Sequence, residues 1–313
     1  MSALSTKAIA GDNKSDRGEM SNSSFRRILI AIDSSEPASW ALRFASTLAS
    51  QLGSALGVVH VLAPLPAAAA NAGEIQSTAG IREAGNLLVA ASNGVSSDVA
   101  IDRMFREGKP AEQIVDVARE WNADLIVVGT HGRHGIKRMV LGSVAADVVK
   151  HASCATLCVG RDPGKTQTIR RILVPLDSGP QATFAMEEAA KLANILGASI
   201  RLVHVTPFPG PMEPGFGFAS KEMSDALRNN AQAFLTVFNP DLREGLKVDR
   251  EVRSGTTADQ ILISAAAWPA DLIVMGARSK RGLAKFVLGS TAEMVLRRST
   301  CPVVCVSHAR REN

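Results

Sequence analysis

The sequence has no tyrosine, few other aromatic residues and no long apolar run, and each shortage excludes a class of protein. Aromatic residues make up 4% of the 313 residues, so aliphatic cores are predicted. Because no stretch of about 18 apolar residues occurs, no membrane-spanning helix is expected. Basic residues are scattered and are not interleaved with aromatic ones, so nucleic acid is not an expected partner.

The composition is that of a globular protein with two domains. Apolar residues make up 46% and charged residues 21% of the chain, whose net charge is +5. This charge suits anionic ligands such as phosphates. The length is about twice a common domain size of roughly 150 residues. Residues 1–24 are polar and lack the apolar segment of a signal peptide, so we predict a disordered tail and a cytoplasmic protein.

The chain contains an internal repeat. Segments 27–160 and 171–307 share landmarks in the same order, and the second copy gains three residues between its second and third predicted strands. We therefore predict a first domain over 25–160, a polar linker over 161–169 and a second domain over 170–309.

Each copy alternates near-continuous apolar strands with helices, which predicts an α/β fold of two tandem, doubly wound domains with parallel sheets. A long loop is expected over 207–219, which is rich in Pro and Gly. The predicted strands are 27–32, 56–62, 99–105, 125–129 and 156–160 in the first copy, and 172–176, 200–205, 247–253, 272–276 and 303–306 in the second. The predicted helices of the first copy are 37–52, 81–91, 111–121 and 142–151.

The most informative motif joins the fourth strand of the first copy to the next helix. It reads Gly129-Thr-His-Gly132, nine residues, then Gly142-Ser143. Glycines let backbone amides approach phosphates, and a helix N-terminus offers free N–H groups and a positive dipole end. Arg133 adds a cation to the loop. These features together predict an anion site.

Asp33 follows the first strand, at the edge where an open α/β sheet binds its ligands. Its carboxylate can bond ribose hydroxyls or hold a magnesium ion. An equally weighted alternative is that Asp33 helps to cap the helix that begins near Pro37.

At these residues the sequence resembles the universal stress protein family, whose ATP-binding members carry G-x2-G-x9-G-S/T between the fourth strand and fourth helix. The resemblance covers both repeats. It implies strand order 3-2-1-4-5, ATP as ligand, and contacts of Asp33 and the backbone near Val61 with ribose and adenine. It also implies pairing through the last strands, so the two halves are expected to pair within one chain, with a homodimer as a further form.

The second copy keeps the spacing of the motif but changes one glycine. Ser279 stands where Gly132 stands in the first copy, and a Cβ there is costly if the backbone needs positive φ. We therefore expect weaker binding in the second half. Its remaining counterparts of the predicted site are Asp177, Val205, Gly276, Gly289 and Ser290.

Other chemistry-bearing residues are interpreted structurally. The cysteines recur as Cys154 and Cys158, then Cys301 and Cys305, and we favour buried reduced thiols over a site assembled between the two halves. His60 and His204 also recur, without a recognisable nucleophile motif, so core or strand-end histidines are favoured over catalytic bases.

Three functions compete at this stage. The leading hypothesis is a regulatory ATP-binding protein with no catalytic residue. The second is a slow ATPase or phosphotransferase in which Asp33 holds magnesium. The third is an interaction module that keeps the fold but binds no nucleotide, and the intact first motif argues against it.

Overall fold

The computed structural model of the protein describes residues 25–64, 73–130, 141–162, 168–206, 221–277 and 288–306. The predicted tail, the predicted loop over 207–219 and three predicted site residues, Gly132, Arg133 and Ser279, lie outside these ranges.

Both halves alternate strands and helices as the apolar pattern predicts. The first half contains β1 (Arg27–Ile32), α1 (Glu36–Leu52), β2 (Ala55–Leu62), α2 (Gly73–Asn93), β3 (Ile101–Glu107), α3 (Pro110–Glu120), β4 (Leu125–Gly129), α4 (Ser143–His151) and β5 (Ala155–Val159). The second contains β6 (Arg171–Pro175), α5 (Pro180–Leu196), β7 (Ser199–Thr206), α6 (Lys221–Val237), β8 (Val248–Ser254), α7 (Thr257–Ala267), β9 (Leu272–Gly276), α8 (Ser290–Arg298) and β10 (Val303–Val306).

The ten strands form one sheet in the order β3-β2-β1-β4-β5-β10-β9-β6-β7-β8. Within each half every pairing is parallel, which confirms the predicted α/β fold and the order 3-2-1-4-5. The halves join where β5 pairs antiparallel with β10, with Val304 opposite Leu157. The last strands are therefore interior strands, and β3 and β8 form the two edges.

Helices cover both faces of this sheet. The core on one face is built from α1, α2, α5 and α6, and the core on the other from α3, α4, α7 and α8. The central strands are almost fully buried as a result, which explains why they consist of apolar runs rather than alternating patterns. No helix in the described ranges is both long and apolar enough to span a bilayer.

Two predicted starts differ from the structure by more than one residue. The strand expected to begin at residue 99 begins at Ile101, and Val99 closes a turn by donating to the Ser96 carbonyl. Helix α2 begins at Gly73, well before residue 81. Its first turns contain Gly, Ser and Thr, whose weak helix propensity hides the true start.

Helix ends follow standard capping chemistry. Ser35 caps α1, because its hydroxyl accepts a hydrogen bond from the Ala38 amide, and Pro37 occupies the first turn. Helices α1 and α5 both stop at a glycine in the left-handed region, Gly53 with φ 64° and Gly197 with φ 69°. These positions favour glycine because a Cβ is strained there.

The two halves fill one equivalent core position differently. Gly57 lies opposite Leu29, as Arg201 lies opposite Leu173. A Cβ on Gly57 would lie 2.6 Å from Met104 Cε, so this glycine makes room for the methionine. In the second half Arg201 instead binds Asp249, with Nε 2.8 Å from Oδ2, and its Nη1 lies 3.5 Å from Glu251, the counterpart of Met104.

Glu251 is the centre of a small polar network. It accepts hydrogen bonds from Arg201, Arg253 and the buried hydroxyl of Ser264. Arg201 also lies over the ring of Trp268, 4.8 Å from its centroid. The second half thus replaces an apolar contact with charged groups that satisfy one another.

Candidate functional site

The candidate site lies where the winding of the first half reverses. Strand β1 pairs with β2 on one side and with β4 on the other, and Asp33 follows β1 while Gly129 ends β4. Both residues therefore lie at the carboxyl edge of adjacent strands. This is the position at which open α/β sheets bind ligands.

Gly129 brings the N-terminus of α1 directly against the end of β4. A Cβ on Gly129 would lie 2.9 Å from the Pro37 carbonyl carbon and 3.0 Å from the Ala38 nitrogen. Both are backbone atoms that cannot rotate away. The glycine is thus required by close helix packing, a reason separate from any contact with phosphate.

The N-terminus of α4 is held at the same edge. The Gly142 amide donates to the Thr130 carbonyl at 2.6 Å, and the Thr130 amide donates to the Val159 carbonyl at 3.0 Å. Gly142 caps the helix without a side chain. Among the described residues, none accepts a hydrogen bond from the amides of Ser143, Val144 or Ala145. Three N–H groups and the positive dipole end are available to an anion.

Asp33 contributes to the turn before α1, although the cap itself is Ser35. Oδ1 of Asp33 accepts hydrogen bonds from the amide and the hydroxyl of Ser35. Asp33 therefore supports the start of α1, which is the alternative role that the sequence predicts for it. Oδ2 has no hydrogen-bond partner among the described residues, so one carboxylate oxygen can still bind a hydroxyl or a cation.

Val61 lies on β2 beside the same edge. The register places His60 opposite Ile32, so Val61 is level with Asp33. His60 Nδ1 lies 2.8 Å from the Ile32 carbonyl oxygen, and His204 Nδ1 lies 2.8 Å from that of Leu176. These histidines hold adjacent strand ends together, as the structural interpretation expects.

The second half repeats this frame. Oδ1 of Asp177 accepts from the Gly179 amide at 2.8 Å, and the Gly289 amide donates to the Ala277 carbonyl at 3.0 Å. Gly276 lies against the side chain of Gln181, and a Cβ added to Gly276 would lie 2.8 Å from the Cβ of Gln181. Val205 and Ser290 occupy the positions of Val61 and Ser143 on β7 and α8.

The cysteines lie outside both crevices. Cys154, Cys158 and Cys305 are buried, as predicted, and Cys301 is partly buried. Burial raises the pKa of Cys154 and Cys305 to about 12 and that of Cys301 to about 11. The described residues contain no group of three or more potential metal ligands. The thiols are therefore protonated, unreactive core groups at neutral pH.

Sequence reasoning missed three groups that shape the crevices: Ser35, Thr130 and Gln181. A serine two residues before a proline at a helix start is a recognisable cap signal for Ser35. Thr130 and Gln181 act through a backbone carbonyl and through packing, which leave no motif.

Comparison with known proteins identifies the family. The model of the universal stress protein family matches residues 24–160 and 168–307. This chain belongs to the universal stress protein family. Universal stress protein MJ0531 of Methanocaldococcus jannaschii is 32% identical over 46% of this chain and 85% of its own length. A universal stress protein of Mycolicibacterium smegmatis is 26% identical over 89% of this chain and 96% of its own.

The fold comparison agrees. A universal stress protein structure from Archaeoglobus fulgidus superposes with a TM-score of 0.68 at 22% identity, covering 90% of this chain and 98% of that one. Both halves are therefore universal stress protein repeats, and the crevices described above lie at equivalent places in the two repeats.

Proposed function

We propose that this universal stress protein binds ATP in the crevice of its first half and acts as a regulatory nucleotide-binding protein in the cytoplasm. The observation that carries the proposal is the open N-terminus of α4. Gly142 leaves the amides of Ser143, Val144 and Ala145 without a described acceptor, and the helix has no acid in its first turn. An anion is the ligand that such a helix end prefers.

The surroundings of this helix end favour a nucleotide over a lone anion. Asp33 keeps one carboxylate oxygen available for a ribose hydroxyl or for a magnesium ion carried by the nucleotide. Val61, on the neighbouring strand, offers backbone groups to a base. In this assignment Gly129, Gly132, Arg133, Gly142 and Ser143 serve the phosphates.

We infer the same assignment for the second half, with Asp177, Val205, Gly276, Ser279, Gly289 and Ser290. Self-association into a homodimer stays a prediction. Since β5 and β10 already pair within the chain, a homodimer must use another surface.

The first test is mass spectrometry of nucleotide that co-purifies with the protein, followed by calorimetric titration with ATP. Gly132→Val places a branched side chain where phosphate is expected, and we expect it to abolish binding by the first half. Gly85→Ala is the matched control, because this exposed helical glycine has nothing within 4 Å of an added Cβ. A folded Gly132→Val protein that binds ATP as well as the parent would refute the assignment.

A further inference from the structure

We propose that a second copy of this chain docks on the free edge of the first half, where the two β3 strands pair antiparallel about a two-fold axis through Met104. Strand β3 is one of the two edges of the ten-stranded sheet, and an edge strand is where a sheet can be extended by another chain. The inference rests on the part of the proposed function that concerns self-association, and not on the binding of ATP.

The backbone of β3 offers hydrogen-bonding groups to such a partner. The carbonyl of Ala100 accepts from the start of β2, and the amide of Gly108 donates to the end of β2. Backbone direction alternates along a strand, so the even-numbered residues face β2 and the odd-numbered residues face outward. In the described part of the chain, the only hydrogen bond to these outward groups is donated by Arg106 Nη1 to the Phe105 carbonyl, at 3.1 Å.

The charges on β3 match when two copies meet in this register. Pairing centred on Met104 places Asp102 opposite Arg106 of the second copy, and Arg106 opposite Asp102 of the second copy, so two opposite-charge pairs form. Both side chains lie on the α3 face of the sheet, where Asp102 accepts from Trp121 Nε1 at 2.9 Å and Arg106 binds Glu120 at 2.7 Å. Because the outward backbone groups belong to the odd-numbered residues, these are non-hydrogen-bonded pairs, whose side chains lie closest.

The present partners of these residues leave their charges available. The side chains of Arg106 and Glu120 are 37% and 62% exposed, and an exposed pair of this kind contributes little. Asp102 is exposed as well, and a carboxylate accepts more than one hydrogen bond. Charged residues on an edge strand usually discourage pairing with other chains. On β3 a two-fold axis instead brings them together as opposite charges.

The other edge, β8, does not offer the same surface. Glu251 stands at the position of Met104, so pairing centred there would place two carboxylates directly opposite each other. The charges of β8 are also bound within their own half: Arg201 Nε lies 2.8 Å from Asp249 Oδ2, and Glu251 accepts a hydrogen bond from Arg253. This difference favours pairing of β3 with β3, which gives a closed two-fold dimer.

The experiment is sedimentation equilibrium of the full chain without nucleotide, at low salt and over a wide range of protein concentration. The charge variants are Asp102→Arg, Arg106→Asp and the double exchange that carries both. Asp116→Arg and Arg119→Asp are the matched controls, because they make the same charge changes at an exposed ion pair of α3. Circular dichroism checks that each variant is folded.

We expect a weak dimer for the parent, because one strand pair is a small interface. Each single exchange should weaken dimerisation by about three- to thirty-fold, since both ion pairs become like-charge contacts. The double exchange should restore the parent affinity, and the control variants should leave it unchanged. High salt should reduce the difference between the parent and the single exchanges.

A parent that stays monomeric at every concentration would overturn the inference, as would a dimer that the single exchanges leave unchanged or that the double exchange fails to restore. Assemblies that keep growing with concentration would also overturn it, because they indicate pairing of β3 with β8 in an open chain. ATP binding is measured separately by calorimetry. A monomer that binds ATP refutes this inference alone, and a dimer that binds no ATP refutes only the nucleotide-binding function.

Discussion

Ser143→Pro is the substitution that isolates the proposed role of the helix α4 amides. Ser143 is the first residue of α4, and its amide has no acceptor within the helix or among the other described residues. Proline at this position therefore removes one N–H donor without breaking a helical hydrogen bond. The residue before a proline must be extended, and Gly142 already has φ −60° and ψ 144°.

The expected cost falls on binding and not on folding. We expect the free energy of unfolding to change by less than about 0.5 kcal/mol, as for a neutral surface change. A hydrogen bond to a charged phosphate contributes about 1.5–3 kcal/mol. Its loss corresponds to roughly a tenfold to hundredfold weaker affinity for ATP.

Three measurements separate the amide from other effects. Ser143→Ala keeps the amide and removes only the hydroxyl, so it should bind ATP more tightly than Ser143→Pro. Ser290→Pro makes the same change in the second half, where Gly289 has φ −66° and ψ 141°, and should leave the first site unaffected. If Ser143→Pro is folded and binds ATP as tightly as Ser143→Ala in calorimetry, the phosphates do not lie at α4.

Four further predictions follow from the contacts described above. In denaturant titrations, Gly129→Ala should lower the free energy of unfolding by about 1–3 kcal/mol, because the new Cβ meets rigid backbone. Gly85→Ala should raise the free energy of unfolding by about 0.5–1 kcal/mol, because this helical glycine has space for a Cβ. Glu251→Ala should cost about 1–3 kcal/mol in the same assay, since it leaves the buried hydroxyl of Ser264 without its acceptor and removes one carboxylate partner from Arg253. A cost near zero would show that the network is not stabilising. Cys154 should resist thiol reagents at pH 8 until the protein is denatured. Burial raises its pKa from 9.0 to about 12. The stability that this protonated thiol contributes is therefore complete below pH 9 and is lost as the pH rises toward 12. ATP turnover by the purified protein should be far slower than the roughly 10 per second of typical enzymes, and a rate of that size, abolished by Asp33→Asn, would establish the enzyme hypothesis instead.

Local sequence signals determine most of the fold. The apolar runs at 27–32, 125–129 and 272–276 identify buried parallel strands, because such strands are covered on both faces and need no polar alternation. The same signals fail at α2 and at the edge strand β3. The side chains of β3 are partly exposed, so burial constrains its sequence less.

The sequence also predicts where the candidate site lies, since glycine spacing and a strand-end carboxylate act locally. The roles of the individual residues within that site were not predictable from the sequence. The requirement for Gly129 depends on Pro37 and Ala38, which are distant in sequence. The role of Asp33 depends on which of its oxygens Ser35 occupies.

By itself, the sequence determined that the chain is a repeat of two α/β units, because periodicity and spacing are properties of the chain alone. The family resemblance implied that the two units pair through their last strands, and only the tertiary structure decided the direction and register of that pairing. Strands β5 and β10 are equally apolar, but their antiparallel pairing depends on two distant edges meeting with matched hydrogen-bonding groups. The tertiary structure also showed that Gly57 makes room for Met104, whereas Arg201 lies near Glu251 at the equivalent place in the second half. Such contacts depend on how side chains pack against neighbours that are distant in the sequence.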